Sequence, residues 1–511
     1  MLARALLAAT LGPRVAPHFD WLVDGSIVGL YLLATMIAGL WVRRYVTNVE
    51  SYLVAGREMN VYLGIASLAA TEFGIITCMY AAQAGYKYGF AGATPGIIQA
   101  VAMFAIGASG FCVKPLRDSG VMTIPELFER RFGSRVRQVA GVVIVLGGLL
   151  NMGVFLRVGG EFLVLVTGLD PAALELTMTA LLILVAVYTV FGGMLSVLVT
   201  DFLQFVVMSA GLVVVTVLIL NQVGWSRMVD AVEQKHGAGG FDPFVNKDLG
   251  WTYILFQVCV QVAATLTWQT VIARVLSAKD TPTARRVFTG TSFFFVCRFV
   301  IPGLWGIAAL AMLPPQALDL LPDSMRNNPS LHAMPMFLSG VVPVGLMGLL
   351  VAAMLAADMS TDSSYMLTWA SVIYNDILTP FRKRAVSDRR GLLVNRSIVG
   401  AIGVFLLFYG LWYPLEGDLW TYCQLTGTIY LSSMSVLLIA CCYWKRANSW
   451  GAFAAIVFGA VIPIAFLVFE KLPSTANFAK SFGGNASGLL AFIAATLAMI
   501  VGSMLKPRSA A

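Results

Sequence analysis

Apolar runs of about twenty residues recur along the whole chain, and no other feature constrains the fold as much. A run of that length covers the roughly 30 Å of hydrocarbon in a bilayer as a helix. Inside hydrocarbon every backbone N–H and C=O must find a partner within the protein, which a helix provides by itself. Barrel strands would instead show short alternating segments. We place about thirteen segments, at 21–42, 58–84, 91–113, 138–168, 171–191, 197–221, 251–273, 287–313, 335–376, 395–414, 419–444, 449–469 and 486–505. Only 12% of residues are charged, against about 25% in soluble domains. The expected class is an all-α integral membrane protein, a single transmembrane domain over 1–511. The ninth segment is longer than a crossing needs, so its C-terminal end is expected to project into the cytoplasm.

Lysine and arginine set the orientation, because cytoplasmic loops carry the excess. With the N-terminus outside, 23 of the 34 basic residues fall on the inner side, among them Arg43, Arg130, Arg137, Arg274 and Arg446, and nine fall outside. The C-terminus is then cytoplasmic and the protein sits in the cell membrane, the inner membrane of a two-membrane cell. The net charge of +8 is therefore topological and is no sign of nucleic-acid binding. The stretch Arg382–Arg390 reads as an orientation signal or lipid contact. The first twenty residues read as an uncleaved outer leader. The expected partners are the lipid bilayer and a small-molecule solute, with no obligatory protein partner.

Seven cysteines are scattered without metal spacing, and His18, His236 and His332 all fall outside the apolar runs. A histidine proton relay within the membrane is not expected. No nucleophile–base pair or metal cluster suggests an enzyme.

Polar residues inside the apolar runs point to the activity, since ionisable groups in a bilayer are costly and mark function by default. They are Glu72, Arg157, Glu161, Arg298, Asp358 and Asp362, with Asp201 near a segment start. Arg157 and Glu161 are spaced i, i+4 and can neutralise each other. On the ninth segment Ala357, Ser360, Thr361 and Ser364 follow i, i+3, i+4, i+7 and form one stripe, with Ser363 beside it. Hydroxyl and carbonyl oxygens suit small hard cations. Serine and threonine also bond back to their own helix, the plainer reading for any one of them. A second wall is offered by Ser67–Thr77, where Glu72 and Gly74 fall at mid-membrane and Gly74 allows the helix to open.

Several stretches together resemble the sodium:solute symporter family. They are Tyr188–Ser196 followed by Thr200–Gln204, the early loop Ser51–Met59, the loop Arg274–Asp280, and Ala356–Thr361. The resemblance implies a LeuT-type fold: two five-helix inverted repeats, here 58–221 and 251–444, with one extra helix before them (1–57) and two after (449–511). It implies a sodium site made by the carbonyls of Ala70, Phe73 and Ala357 and the hydroxyls of Ser360 and Thr361. Some relatives hold a second sodium with the counterparts of Asp201, Ser363 and Ser364. Solute is expected at mid-membrane, with Glu72, Arg157, Gln261, Gln269, Arg298 and Gln424 as candidate contacts. The two arginines suggest a carboxylate-bearing or zwitterionic solute, because the guanidinium fork matches a carboxylate.

Two features depart from the family. Segment seven lacks the mid-helix glycine that relatives often carry. Asp358 and Asp362 lie on one stripe off the sodium face, and either pair with Arg157 or Arg298 or bind a proton as a coupling site. The expected activity is sodium-coupled uptake by alternating access, with one sodium ion or two. The alternatives are a proton-coupled carrier on the same fold and a non-transporting membrane sensor.

Overall fold

The computed structural model describes residues 18–381, 387–412 and 418–506. Most of the N-terminal leader and the basic stretch 382–386 lie outside the described residues. Among the described residues, sixteen of the helices build the bundle. They are α1 (Val23–Val42), α2 (Val61–Thr71), α3 (Ile75–Tyr88), α4 (Thr94–Ser109), α5 (Ser134–Met152), α6 (Phe155–Thr167), α7 (Leu174–Val223) and α8 (Gly250–Thr267). They continue as α9 (Gln269–Ser277), α10 (Thr281–Met312), α11 (Pro329–Val341), α12 (Leu346–Val372), α13 (Asp388–Trp412), α14 (Leu419–Tyr443), α15 (Ser449–Lys471) and α16 (Gly484–Leu505). Among the described residues the one extended pairing is a parallel bridge between Met59 and Ala278. It joins the loop before α2 to the loop after α9, through Met59 N–H to the Ser277 carbonyl (3.1 Å) and Lys279 N–H to the Met59 carbonyl (3.1 Å).

Among the described residues, eleven continuous helical stretches are long and apolar enough to span a bilayer. Two of them fold back on themselves. α7 runs for 50 residues with Gly193 at φ 56°, ψ −156° inside it. A side chain added at Gly39 would lie 3.0 Å from Tyr188 and 3.3 Å from Thr200. A straight helix would hold those two residues about 18 Å apart, so the chain reverses at Gly193. A Cβ there would also sit 2.5 Å from the Tyr52 ring, so glycine meets both the dihedral and the space. α3 and α4 reverse likewise: Gly64 of α2 lies at Val287 of α10 and Gly85 of α3 at Gly303, whereas Gly96 of α4 is back at Phe299 and Gly107 at Phe288. Splitting both hairpins gives thirteen crossings, the number expected from the apolar runs.

The long ninth segment is not one helix. α11 ends at Val341, and the chain turns through Pro343, Val344 and Gly345 before α12 begins. Asp24 at the start of α1 caps that beginning, its Oδ1 accepting from the Gly345 and Gly348 N–H groups at 2.7 Å each. Part of the surplus length is therefore a short packed helix before the crossing, and the helical stretch that starts at Leu346 itself runs on to Phe381, 36 residues in all. Apolar character alone cannot separate the two, because α11 is itself almost wholly buried.

Two crossings are interrupted at mid-membrane. The first breaks between α2 and α3 at Glu72, Phe73 and Gly74. The second breaks between α8 and α9 at Trp268 alone, held extended at φ −63°, ψ 123°. That conformation is open to any residue, so segment seven breaks without a glycine. α12 lies against the first break and is the most buried crossing, 89% of its apolar window being covered.

Candidate functional site

The first break meets α12 side-on. Thr361 donates from Oγ1 to the Thr71 carbonyl at 2.8 Å and to the Ala357 carbonyl at 3.0 Å. A Cβ on Gly74 would stand 2.8 Å from Thr361 Oγ1, so glycine permits this approach. The break leaves the last carbonyls of α2 without a continuing helix, at the level of a threonine hydroxyl and the Ala357 carbonyl. Ala70 lies just before the break and Phe73 within it, with Phe73 N–H on the Ala70 carbonyl at 3.3 Å. These oxygens, uncharged and drawn from two helices, are a donor set suited to a hard monovalent cation. Ser360 is turned one step away and donates to Asp201 Oδ1 at 2.6 Å.

Asp201 is wholly buried on the second arm of the α7 hairpin, and so is its partner Arg274 on α9. Arg274 Nη2 lies 3.0 Å from Asp201 Oδ2, 2.7 Å from Ser364 Oγ and 2.6 Å from Thr71 Oγ1. Both Nε and Nη2 also reach Ser67 Oγ, at 3.1 and 3.0 Å. Asp201 and Ser364, expected around a second sodium, are thus gathered around a guanidinium. Ser363 donates to the Ser360 carbonyl at 3.2 Å. Arg274, counted with the inner basic loops from its place at the end of an apolar run, proves fully enclosed. The break at Trp268 starts a new helix that carries it into the bundle.

On the other side of the first break is a cavity of about 80 Å³. Segments two, three, four, seven, eight, nine and eleven wall it. Glu72, Gln261, Arg298 and Gln424 all line it, and Thr361 of the hydroxyl stripe on α12 reaches it too. Arg298 Nη1 is 3.2 Å from Glu72 Oε2, and Nη2 donates to Tyr80 at 2.8 Å. Thr270 donates to Glu72 Oε1 at 2.5 Å. Buried charges need such pairing, and three polar atoms of the wall are left unmatched: the Nε of Arg298, the Oε1 of Gln99 and the indole Nε1 of Trp420. Gln424 and Gln261 both bond to Gln257, at 2.8 and 3.1 Å. Trp268, at the second break, donates from its indole to Tyr365 at 2.9 Å, and both line the cavity.

Two expected contacts lie elsewhere. Gln269 borders a smaller, separate recess and donates to the Thr267 carbonyl at 3.2 Å. Arg157 pairs with Glu161 at 3.1 Å and donates to the Leu411 carbonyl at 3.2 Å, away from the cavity. Asp358 and Asp362 pair with neither Arg157 nor Arg298. Among the described residues neither has an ion-pair partner, Asp362 Oδ1 has no hydrogen bond, and Asp358 packs against Gly159. Tyr80, Gln99, Trp268 and Arg274 are site residues that reading the sequence missed or set aside. An aromatic or amide in an apolar run gives no signal of which helix face it occupies.

The family model for the sodium:solute symporter family matches residues 52–459. The chain belongs to that family. Among its relatives, mouse sodium/glucose cotransporter 4 is 27% identical over 500 residues, covering 90% of this chain and 70% of that protein. The osmoregulated proline transporter OpuE of Bacillus subtilis (strain 168) is 25% identical over 510 residues, covering 94% and 95%. The solved structure of a Na+-coupled sialic acid symporter in a substrate-bound outward-open state shares the fold, with TM-score 0.79 and 21% identity over 96% of this chain and all of that one. This sodium:solute symporter family member is therefore a multi-pass transporter with a LeuT-type fold, not an enzyme. Membership supports sodium-coupled symport of a small solute.

Proposed function

We propose that the protein imports a compact carboxylate-bearing or zwitterionic solute, of the amino acid or organic acid class, together with one sodium ion. The observation that carries this reading is the first break. Its carbonyls face Thr361 on one side, and Glu72, within it, holds Arg298 of the cavity on the other. An ion that orders the break fixes Glu72, and so presets the arginine that receives a carboxylate. Coupling of this kind is reciprocal, so bound solute strengthens ion binding by the same factor. The sodium ligands are Ala70, Phe73, Ala357, Ser360 and Thr361, with Ser360 turning from Asp201 to the ion. The pair Glu72–Arg298 favours a solute bearing both charges, and the volume holds roughly five to eight water-sized groups. Gln261 and Gln424 complete the polar wall. The N-terminus faces out and the C-terminus the cytoplasm, with repeat one over 58–221 and repeat two over 251–444. At a potential of about 100 mV, each sodium entering supplies about 2.3 kcal/mol.

The test is uptake into proteoliposomes with a sodium gradient, against a panel of amino acids, organic acids and sugars, together with melting curves in sodium and choline. Wild type should melt higher in sodium only, and Thr361→Ala should lose that shift. No sodium shift up to molar salt would sink the reading. It would favour a proton-coupled carrier, for which the unpaired Asp358 and Asp362 are the supporting observation.

A further inference from the structure

The three unmatched atoms of the cavity wall differ in kind. The Nε of Arg298 and the indole Nε1 of Trp420 can only donate, while the Oε1 of Gln99 can only accept. The other nitrogens of Arg298 are engaged, Nη1 with Glu72 Oε2 at 3.2 Å and Nη2 with the Tyr80 hydroxyl at 2.8 Å. Phe295 and Phe299 pack on the guanidinium, their ring centres 5.1 and 5.4 Å from Cζ. The Nε edge is what is left for a polar partner.

The indole of Trp420 belongs to the same part of the wall. Its ring centre lies 4.5 Å from that of Tyr80 and 5.3 Å from that of Phe299, and both of those residues also touch Arg298. Asp418, two residues earlier, is engaged elsewhere: Lys87 holds Oδ2 at 3.1 Å, and the Thr421 N–H donates to Oδ1 at 2.9 Å. A buried donor without an acceptor is costly, and native proteins leave few of them. Two on one wall mark a place that an acceptor fills, and a carboxylate brings two oxygens.

We propose, on the basis of the carboxylate-bearing solute inferred above, that Trp420 sets the specificity of the cavity. Its indole N–H and the Nε–H of Arg298 hold the solute carboxylate, one oxygen each. Gln99 accepts from a donor on the same solute. The solute is then a compact amino or hydroxy acid. An acid without a further N–H or O–H leaves Gln99 unmatched, and an amide has one oxygen for two donors.

The experiment follows melting of the purified protein in sodium chloride while probes are titrated. The probes are the protein amino acids and their amides, lactate, glycerate, propionate, butyrate and glucose. In wild type an amino or hydroxy acid should raise the melting temperature, with its amide and its unsubstituted counterpart at least about tenfold weaker. Trp420→Phe keeps a ring against Tyr80 and lacks the N–H. It should keep the rise given by sodium alone, bind the acid about tenfold more weakly and bind the amide nearly as before. A tryptophan that only packs would weaken both alike. Equal weakening, or an unchanged acid, overturns the proposal and leaves the solute class standing, as does an unsubstituted acid that binds as well as its amino or hydroxy counterpart. Stabilisation by glucose alone, or by none of the probes, sinks the solute class and the proposal with it. Should Trp420→Phe not fold, benzothienylalanine incorporated at position 420 keeps the bicyclic shape, removes the N–H and is held to the same outcomes.

Discussion

Arg274 is the residue whose removal should be felt most. It is enclosed with Asp201 and four further hydrogen-bond acceptors, on Ser67, Thr71, Thr270 and Ser364, and breaking a buried pair by removing one partner costs about 3–5 kcal/mol. Arg274→Gln should melt well below wild type in choline, with much of the loss restored by molar sodium, because Asp201 would then face Ser364 with no cation between them. Melting curves in the two salts check both halves. Glu72→Gln makes a different prediction. It removes the charge opposite Arg298 but keeps the shape, so solute affinity should change by at least about tenfold, or about 1.4 kcal/mol, while the sodium shift in melting persists. Solute titrations followed by melting would separate the two effects. Ser360, Thr361, Ser364 and Asp201 stood out in the sequence because hydroxyls and acids are rare in apolar runs. Arg274 and His332 did not, since each sits at the edge of a run, and their burial depends on a break and a short helix that hydropathy does not reveal.

At the scale of elements, the breaks carry the most weight. Gly74→Ala would place a methyl 2.8 Å from Thr361 Oγ1, a clash with α12 costing about 1–3 kcal/mol. The variant should still assemble, but its sodium-dependent rise in melting temperature should vanish. Gly193→Ala should fare worse, combining a left-handed dihedral with contact against Tyr52, and should show a sharp loss of folded protein on gel filtration. The first break could be anticipated from Gly74 and Glu72 at mid-run. The second could not, because Trp268 breaks its helix with dihedrals that leave no mark in composition. The division of the ninth segment was hidden for a related reason: α11 is as apolar as a crossing, and only its length and the turn at Gly345 distinguish it.

At the scale of the molecule, thirteen crossings were legible because bilayer thickness fixes their length. The number of ions was not, since it depends on what fills the space between Asp201 and Ser364. With the guanidinium there, one positive charge should enter with each net-neutral solute. Reversal potentials measured at several sodium and solute gradients should fit one sodium per solute, and a fit to two would mean that Arg274 vacates its place during the cycle.

The bridge between Met59 and Ala278 has a mechanical consequence. It joins the start of α2 to the end of α9, the half-helices that border the two interruptions, and Arg117 reinforces it by donating to the Ala278 carbonyl at 2.6 Å. The two half-helices are yoked, so neither can swing outward from the bundle without hauling the other. Release of ion and of solute then becomes a single stroke, and a reporter fixed to either loop would register the departure of both.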